Sequence, residues 1–564
     1  MRWFRLCLVL GLAFPAVCAD ADQRIARGRG GAVAAAEETA ARVGIEILKA
    51  GGNATDAAVA VAFALAVTWP EAGNIGGGGF WLSRTSRGRM LAIDFREVAP
   101  RAARRDLFTR MDAQGKIPSP TEGPLASGVP GSVAGLALAH RKGGRLPWRS
   151  VVEPAVRLAR EGFPVPPAVS ASIATERNRL AEDAETARIF LPGGEAQPPG
   201  SRLRQSDLAR TLEAIRDRGE DGFYRGQVAR QIETGQRHSG GLISRGDLAR
   251  YEAKLRTPIS FRFAEADVWT TPAPSSGPVL AEMALLAQTL GLEKFRGRGA
   301  PAAHLLAEIE KRAYRDRNRY LADPAFPQVR QDLFLDPARL KTLAASIDPN
   351  RATPTKALGS PEQRHSTNHF SVVDGEGGAV SVTMTLNDSF GNARVAPGLG
   401  FLWNNEMDDF ATRPGESNLY GLVQGKVNEV EPGKRMLSSM CPVVAALPGG
   451  RLFVWGTPGG STIPTTNLQI LLEVLLRGEP LPEAVASPRF HQQDLPDQIL
   501  LERGRFDPEW IGALQALGHT VVEREAKEGT IGRVHAIARQ EDGGLTAVAD
   551  PRGGGAGLVV EPKP

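Results

Sequence analysis

The run Thr367-Asn368-His369-Phe370-Ser371-Val372-Val373-Asp374 leads, through Gly375-Glu376-Gly377-Gly378, into Ala379-Val380-Ser381-Val382-Thr383-Met384-Thr385-Leu386. Phe370 to Val373 has the β-branched and aromatic character of a short strand. Asp374 to Gly378 is a turn. From Ala379 to Leu386 the residues alternate with the period of a strand: Val380, Val382, Met384 and Leu386 face one way, and Ser381, Thr383 and Thr385 the other. Two explanations of the hydroxyl face stand at this point. It is an edge turned to solvent, or it is a set of hydroxyls kept for chemistry beside a strand that starts at a threonine.

Upstream, residues 340–366 have little periodicity and are rich in Pro, Ser, Gln, Arg and His, which predicts an exposed, mobile segment. Residues 130–310 read as mostly helical, with loops at Pro192 to Pro199 and at Pro272-Ala273-Pro274. Residues 33–50 have helical spacing and stop at Gly51-Gly52. Thr55 is placed to cap a second helix, Asp56 to Val67, whose Ala and Val on all sides predict full burial. Gly76 to Gly79 lacks the Lys and Ser/Thr of a phosphate loop, so close backbone approach is the expectation there. It leads into strands at Phe80-Trp81-Leu82 and Met90 to Phe95. Downstream, the strand Leu452 to Trp455 runs into Gly456-Thr457-Pro458-Gly459-Gly460-Ser461.

The chain has 564 residues, 42% hydrophobic and 23% charged, enough apolar material for a large core and too much for a disordered chain. The net charge of +5 is small for this length and unclustered, so it does not point to nucleic acid. Arg2 and Arg5, the apolar run Leu6 to Val17, and the small residues Val17 and Ala19 before Asp20 have the order of a secretory signal peptide over residues 1–19. A buried N-terminal helix and a lipid anchor at Cys18 are the lesser readings. The expected product is soluble, periplasmic or secreted, without stable membrane insertion. Of Cys7, Cys18 and Cys441, only Cys441 would remain, which excludes an internal disulfide framework.

No C-x-x-C, H-E-x-x-H or G-x-S-x-G motif occurs, and the eight histidines lack metal-ligand spacing. For a nucleophile without an obvious histidine base, one physical answer is a threonine made N-terminal by chain cleavage. Its free α-amine, of pKa about 7.7–8.0, accepts the proton of its own hydroxyl. Such an enzyme needs a loop before the threonine, a strand to carry it, backbone N–H donors for an oxyanion, and charged groups to hold substrate.

With these residues the sequence resembles the γ-glutamyltranspeptidase family of N-terminal-nucleophile hydrolases. The similarity spans the mature chain and rests on ordered segments: Gly51 to Ala58, Gly76 to Gly79, Asp94 to Pro100, Pro130 to Gly135, Thr367 to Asp374, Thr383 to Asn387, Asn404 to Phe410, Leu437 to Met440, Gly456 to Ser461 and Asp550 to Arg552. The resemblance implies an α+β fold, a four-layer αββα sandwich, and self-cleavage between Ser366 and Thr367. The products would be a large subunit, 20–366, and a small subunit, 367–564, held together as a heterodimer.

By the same resemblance Thr367 is the nucleophile, with Thr385 hydrogen-bonded beside it. Arg96, Ser438 and Ser439 hold the donor's α-carboxylate. Asn387, Glu406 and Asp409 hold its α-amino group. Gly459 and Gly460 supply the oxyanion N–H groups, and Tyr420 closes a lid over Pro414 to Tyr420. The implied reaction moves the γ-glutamyl group of glutathione or another γ-glutamyl amide to water, amino acids or dipeptides, with no cofactor and no metal. Asn368 after the nucleophile, Gly378 in the turn and Met436 before Leu437 depart from the family pattern. Asn368 adjoins the expected cleavage point, so it bears on cleavage rate and acceptor choice. The alternatives are a sister acylase acting on glutaryl or β-lactam side chains, and an uncut, inactive relative that serves as a binding protein.

Overall fold

A computed structural model describes residues 24–112, 115–355, 367–413, 415–524 and 530–560. The expected signal peptide, residues 356–366 of the segment before Thr367, and Pro414 of the expected lid lie outside the described residues.

Two seven-stranded sheets form the centre. The first runs, in spatial order, Ala556–Val559, Gly31–Ala35, Asn368–Asp374, Ala379–Thr385, Gly78–Arg84, Met90–Asp94 and Lys254–Arg256, with every neighbour antiparallel. The second runs Ile25–Gly28, Leu545–Ala549, His535–Arg539, Leu452–Gly456, Val443–Ala446, Ala266–Thr270 and Ile259–Phe263, again antiparallel throughout. Each of the two seven-stranded sheets contains strands from both sides of residue 366, so neither part builds a central sheet by itself.

Three apolar layers follow from the period-two alternation. Phe370, Val372, Val380, Val382 and Met384 pack outward against helices that include Glu38–Lys49, Ala54–Thr68 and Trp148–Glu161. Val443, Ala445, Trp455, Ala536 and Val548 pack against helices on the other outer face, including Gly277–Leu290, Ala300–Tyr320 and Ile463–Leu471. Between the sheets lies a thinner cluster of mostly small side chains, among them Ala32, Ala34, Val373, Ala379, Val444 and Ala547. The result is the four-layer αββα sandwich.

The hydroxyl face of Ala379–Thr385 points into this middle layer and not to solvent. Ser381 Oγ donates to the Trp455 carbonyl (3.0 Å) and accepts from the Val443 amide (3.2 Å), bridging the sheets. His369 Nδ1 meets Thr383 Oγ1 (2.8 Å), its Nε2 meets Ser371 Oγ (3.2 Å), and Ser371 donates to the His535 carbonyl (3.1 Å). Period alone could not separate solvent from a second sheet, because both accept hydroxyls.

Other boundaries shift for local reasons. Residues 33–35 belong to the strand Gly31–Ala35, and the helix begins at Glu38, where Glu37 accepts from the Thr39 and Ala40 amides. The second helix is capped by Asn53, not Thr55. Asn53 and Asp56 form a reciprocal capping box, and Asp56 also accepts from the Arg145 amide. That helix is buried on every side, apart from Thr55. The region 130–310 is mostly helical, but the strands Lys254–Arg256, Ile259–Phe263 and Ala266–Thr270 interrupt it. The helix Pro337–Ala345 extends into the stretch from 340 read as aperiodic and exposed, and buries Leu340 and Ala344 there.

Ser381→Ala leaves the buried Val443 amide and Trp455 carbonyl without their bridge; it is expected to cost about 1–3 kcal/mol in chemical denaturation. An unchanged midpoint and slope would show that the bridge contributes nothing to the sheet contact.

Candidate active site

Strand register brings the two threonines together. Asn368 pairs with Met384, and one step further along the same antiparallel ladder sets Thr367 opposite Thr385. Their hydroxyl oxygens are 3.4 Å apart and buried. Thr385 Oγ1 also accepts from the Asn387 amide (2.8 Å). That bond requires the chain to reverse sharply after the strand, and Asn387 does so at φ 81°, a conformation asparagine tolerates. Asn74 Nδ2 holds the Thr385 carbonyl from the other side (2.9 Å). A Cβ on Gly77 would lie 2.1 Å from that carbonyl oxygen, so the glycine run serves close approach, as its composition suggested. Asn368 turns to the helix side and donates to the Ala72 carbonyl (2.8 Å).

The glycine turn leaves the second sheet beside this point. Gly456 abuts the ring of His369, two residues past Thr367. Gly459, at φ 141°, precedes the 3-10 turn Gly460–Thr462, which continues into the helix Ile463–Leu471. The first amides of such a helical start lack acceptors within it and carry the positive end of the dipole, a suitable setting for a developing oxyanion. Thr462 Oγ1 donates to the Gly459 carbonyl (2.9 Å), and the Tyr314 hydroxyl donates to the Ser461 carbonyl, which fixes the turn from both ends.

A buried ionic cluster lies next to the threonines. Asn387 Nδ2 donates to the Asn405 carbonyl (3.0 Å), and Asn405 precedes Glu406. The Arg96 guanidinium is fully buried. Its Nη1 is 2.6 Å from Glu406 Oε2 and 3.3 Å from Glu97 Oε2, its Nη2 pairs with Asp409, and its Nε donates to the Met436 carbonyl (3.2 Å). Burial alone would weaken the charged guanidinium; Glu406, Glu97 and Asp409 together outweigh it and hold its pKa above the ordinary value. Burial pushes the acids up in turn: Glu97 to about 7, Glu406 well above the carboxylate range, and Asp409 upward against the pull of Arg96 and Arg317. Glu406 Oε1 has no hydrogen-bond donor among the described residues. The cluster is therefore short of positive charge.

The segment bearing Tyr420 is tied to these acids. Asn418 Nδ2 donates to Asp409 Oδ1 (3.2 Å), while its Oδ1 accepts the Tyr420 and Leu422 amides (3.0 and 3.1 Å). The Leu419 amide donates to Asp408 (2.9 Å), and the Tyr420 hydroxyl donates to the Asn387 carbonyl (2.6 Å). The tyrosine reaches Asn387 through the backbone and not through its amide side chain. Ser438 and Ser439 follow the Met436 carbonyl that Arg96 holds. Ser438 Oγ accepts from the Met440 amide (3.2 Å) and Ser439 Oγ from Arg317 Nη2 (3.3 Å).

Bonds and packing thus link Thr367, Thr385, Asn387, Glu406, Asp409, Arg96 and Tyr420, with Ser438 and Ser439 at the edge of the same group. Arg96 departs from expectation in one respect. It is paired with the very carboxylates expected to hold an ammonium. Sequence reasoning missed Glu97, Asn418, Tyr314 and Arg317. Glu97 stood inside a quoted motif. Tyr314 and Arg317 sit in a helix crowded with charges, where spacing does not separate buried members from exposed ones.

Two sheets between helical layers, with a threonine at the head of a central strand, define an N-terminal-nucleophile hydrolase. The chain belongs to the γ-glutamyltranspeptidase family: the family model described as Gamma-glutamyltranspeptidase matches residues 40–560. It is 43% identical to a glutathione hydrolase proenzyme of Escherichia coli K12, over 93% of this chain and 91% of that one. Among solved structures, a cephalosporin acylase from Bacillus halodurans superposes with a TM-score of 0.85 at 26% identity, over 99% of this chain and 100% of the other. A γ-glutamyltranspeptidase from Pseudomonas nitroreducens, complexed with L-DON, matches at 38% identity and a TM-score of 0.54, over 58% of this chain and 96% of that one.

Burial pushes the Asp408 carboxyl up to about 7. The folded chain then keeps a proton that an unfolded chain has lost above about pH 4, so stability falls as pH rises between about 4 and 7. Asp408→Asn is expected to remove that share of the fall, at most about 3 kcal/mol between pH 5 and 8, seen as a smaller loss of Tm across that range. An equal loss in both proteins would show that Asp408 is ionised across this range.

Proposed function

We propose that this chain is a self-processing γ-glutamyltransferase and glutathione hydrolase. The observation that carries the proposal is the buried cluster of Arg96, Glu97, Glu406 and Asp409, tied through Asn405 and Asn387 to the Thr367–Thr385 pair. A γ-glutamyl group carries an ammonium and a carboxylate on one carbon. The ammonium meets the excess of buried carboxylate at Glu406 and Asp409. The carboxylate meets the hydroxyls of Ser438 and Ser439 and the guanidinium of Arg96, which the ammonium partly frees from its acids.

In maturation the Thr367 hydroxyl attacks the Ser366 carbonyl carbon. The C–N bond breaks, the α-amine of Thr367 is released, and water hydrolyses the resulting ester. The parts 20–366 and 367–564 remain one body, because each seven-stranded sheet contains strands from both. In turnover the Thr367 hydroxyl gives its proton to that α-amine and attacks the γ-carbonyl carbon of the donor. The oxyanion forms against the Gly459 and Gly460 amides. The C–N bond of the donor breaks, with the proton passing to the leaving nitrogen. The γ-glutamyl ester of Thr367 then transfers its acyl group to water or to the amine of an amino acid or dipeptide. Tyr420 covers the ester and limits access of water. The leader-like residues 1–19 support export to the periplasm or beyond.

A glutaryl or β-lactam acylase is the second reading, favoured by the superposition on a cephalosporin acylase. A glutaryl group has no α-amine, and would leave the acids around Arg96 without their counter-charge.

The test joins denatured intact mass with donor assays on wild type and Thr367→Ala. The expected result is two wild-type chains cut at Ser366–Thr367, an uncut variant, and release of amine from γ-glutamyl-p-nitroanilide by the wild type alone. Faster turnover of glutaryl-p-nitroanilide would overturn the donor assignment, and an uncut, inactive wild type would overturn the whole proposal. Ionised Glu406 and Asp409 are needed to pair an ammonium, while burial holds both acids above their ordinary values. The donor KM is therefore expected to rise as pH is lowered, with kcat less affected; a KM independent of pH would count against the ammonium site.

A further inference from the structure

The helix Ala300–Tyr320 presents a second arginine to the same site. Arg317 is as deeply buried as Arg96, with 1% of its surface exposed. Its surroundings are the opposite. Arg96 meets Glu97, Glu406 and Asp409, whereas no carboxylate among the described residues lies within ion-pair distance of Arg317. Its guanidinium donates only to neutral oxygens: Ser276 Oγ (2.9 Å), Asn318 Oδ1 (3.1 Å) and Ser439 Oγ (3.3 Å). Asp409 attracts it only from beyond ion-pair distance and is itself paired with Arg96, and a buried guanidinium with no directly paired anion is unfavourable unless one arrives.

The bonding direction tells where that anion would sit. A hydroxyl has one hydrogen and two lone pairs. Ser439 Oγ accepts from Arg317, so its hydrogen is turned away from the guanidinium and left to donate elsewhere. Ser276 Oγ accepts from Arg317 Nε and donates to the Ser438 carbonyl (2.6 Å), so the arginine also fixes the backbone of the neighbouring serine. Ser438 Oγ accepts from the Met440 amide, and its hydrogen is likewise left over. Two hydroxyl hydrogens with no acceptor among the described residues, and a guanidinium with no ion pair among them, thus gather at Ser438 and Ser439, while Glu406 Oε1 lacks a donor among the same residues. Tyr314, one turn earlier on the same helix, holds the Ser461 carbonyl next to Gly460, so this helix also spaces the serines from the oxyanion turn.

We propose that Arg317 is a positioning residue for the donor's α-carboxylate. It orients the Ser439 hydroxyl directly and Ser438 through Ser276, and supplies the charge that this carboxylate neutralises. The proposal rests on the γ-glutamyl reading of the site.

The experiment compares wild type, Arg317→Gln and Arg317→Lys, each checked for two-chain maturation and cooperative melting. The readouts are kcat and KM for γ-glutamyl-p-nitroanilide, and competitive inhibition by L-glutamate and by its α-carboxamide, which keeps the ammonium and loses the carboxylate. Arg317→Gln is expected to raise the donor KM and the glutamate inhibition constant about tenfold or more, with kcat and α-carboxamide inhibition within about threefold of wild type. Arg317→Lys, which keeps the charge and loses the fork, falls between. In a Ser439→Ala background the Arg317→Gln effect shrinks, since part of it runs through that hydroxyl. Equal weakening of glutamate and its α-carboxamide, or unchanged glutamate inhibition in the mature variant, overturns the proposal. If Arg317→Gln does not mature, the same comparison on Arg317→Lys decides by the same criteria. A wild type that ignores the γ-glutamyl donor overturns the functional reading and this proposal together, whereas an active wild type with an indifferent variant overturns this proposal alone.

Discussion

The contact between the two sheets is the constraint on which the site depends. It is built from small apolar side chains and from hydroxyls and imidazoles that satisfy one another, including Ser371, Ser381, Thr383 and His369. Small residues let the sheets approach, and the bridging bonds fix their relative position, since a slip would leave buried polar groups unpaired. Thr367 and Thr385 belong to the same strand faces. The hydroxyl pair at the site is the last rung of a ladder that is structural along the rest of its length.

Charge is arranged with equal economy. One arginine is surrounded by three carboxylates, and a second is held by neutral oxygens alone. Neither arrangement is favourable for stability, because burial of the acids in the first and of the guanidinium in the second is only partly offset. In the proposed reading they together complement a zwitterion, with the excess of negative charge at Glu406 and the excess of positive charge at Arg317. The Tyr420 segment and the acids are coupled as well, since Asn418 bonds both Asp409 and the amides of Tyr420 and Leu422. A change of charge at Asp409 is therefore felt by the segment that carries Tyr420.

Much of this was legible in the sequence. Alternation in Ala379 to Leu386 gave the strand and its two faces, the glycine run gave a close approach, and the all-apolar second helix gave a buried one. The motif-bearing residues Thr367, Thr385, Asn387, Glu406, Asp409 and Arg96 do meet in one place. The cap at Asn53 and the strand start at Gly31 were missed because a capping side chain and a short apolar strand give weak local signals that neighbouring helical periodicity masks.

By itself the sequence determined the elements, the family, and the residue types from which the site is made, because periodicity and motif order are properties of the chain. Only the tertiary structure decided that the hydroxyl face meets a second sheet, that Arg96 is shared among acids, and that Arg317 and Tyr314 serve the site from a helix far away in sequence. Solvent and a polar partner sheet satisfy hydroxyls equally well, and burial of a charge is fixed by what packs around it. Neither can be read until distant segments have come together.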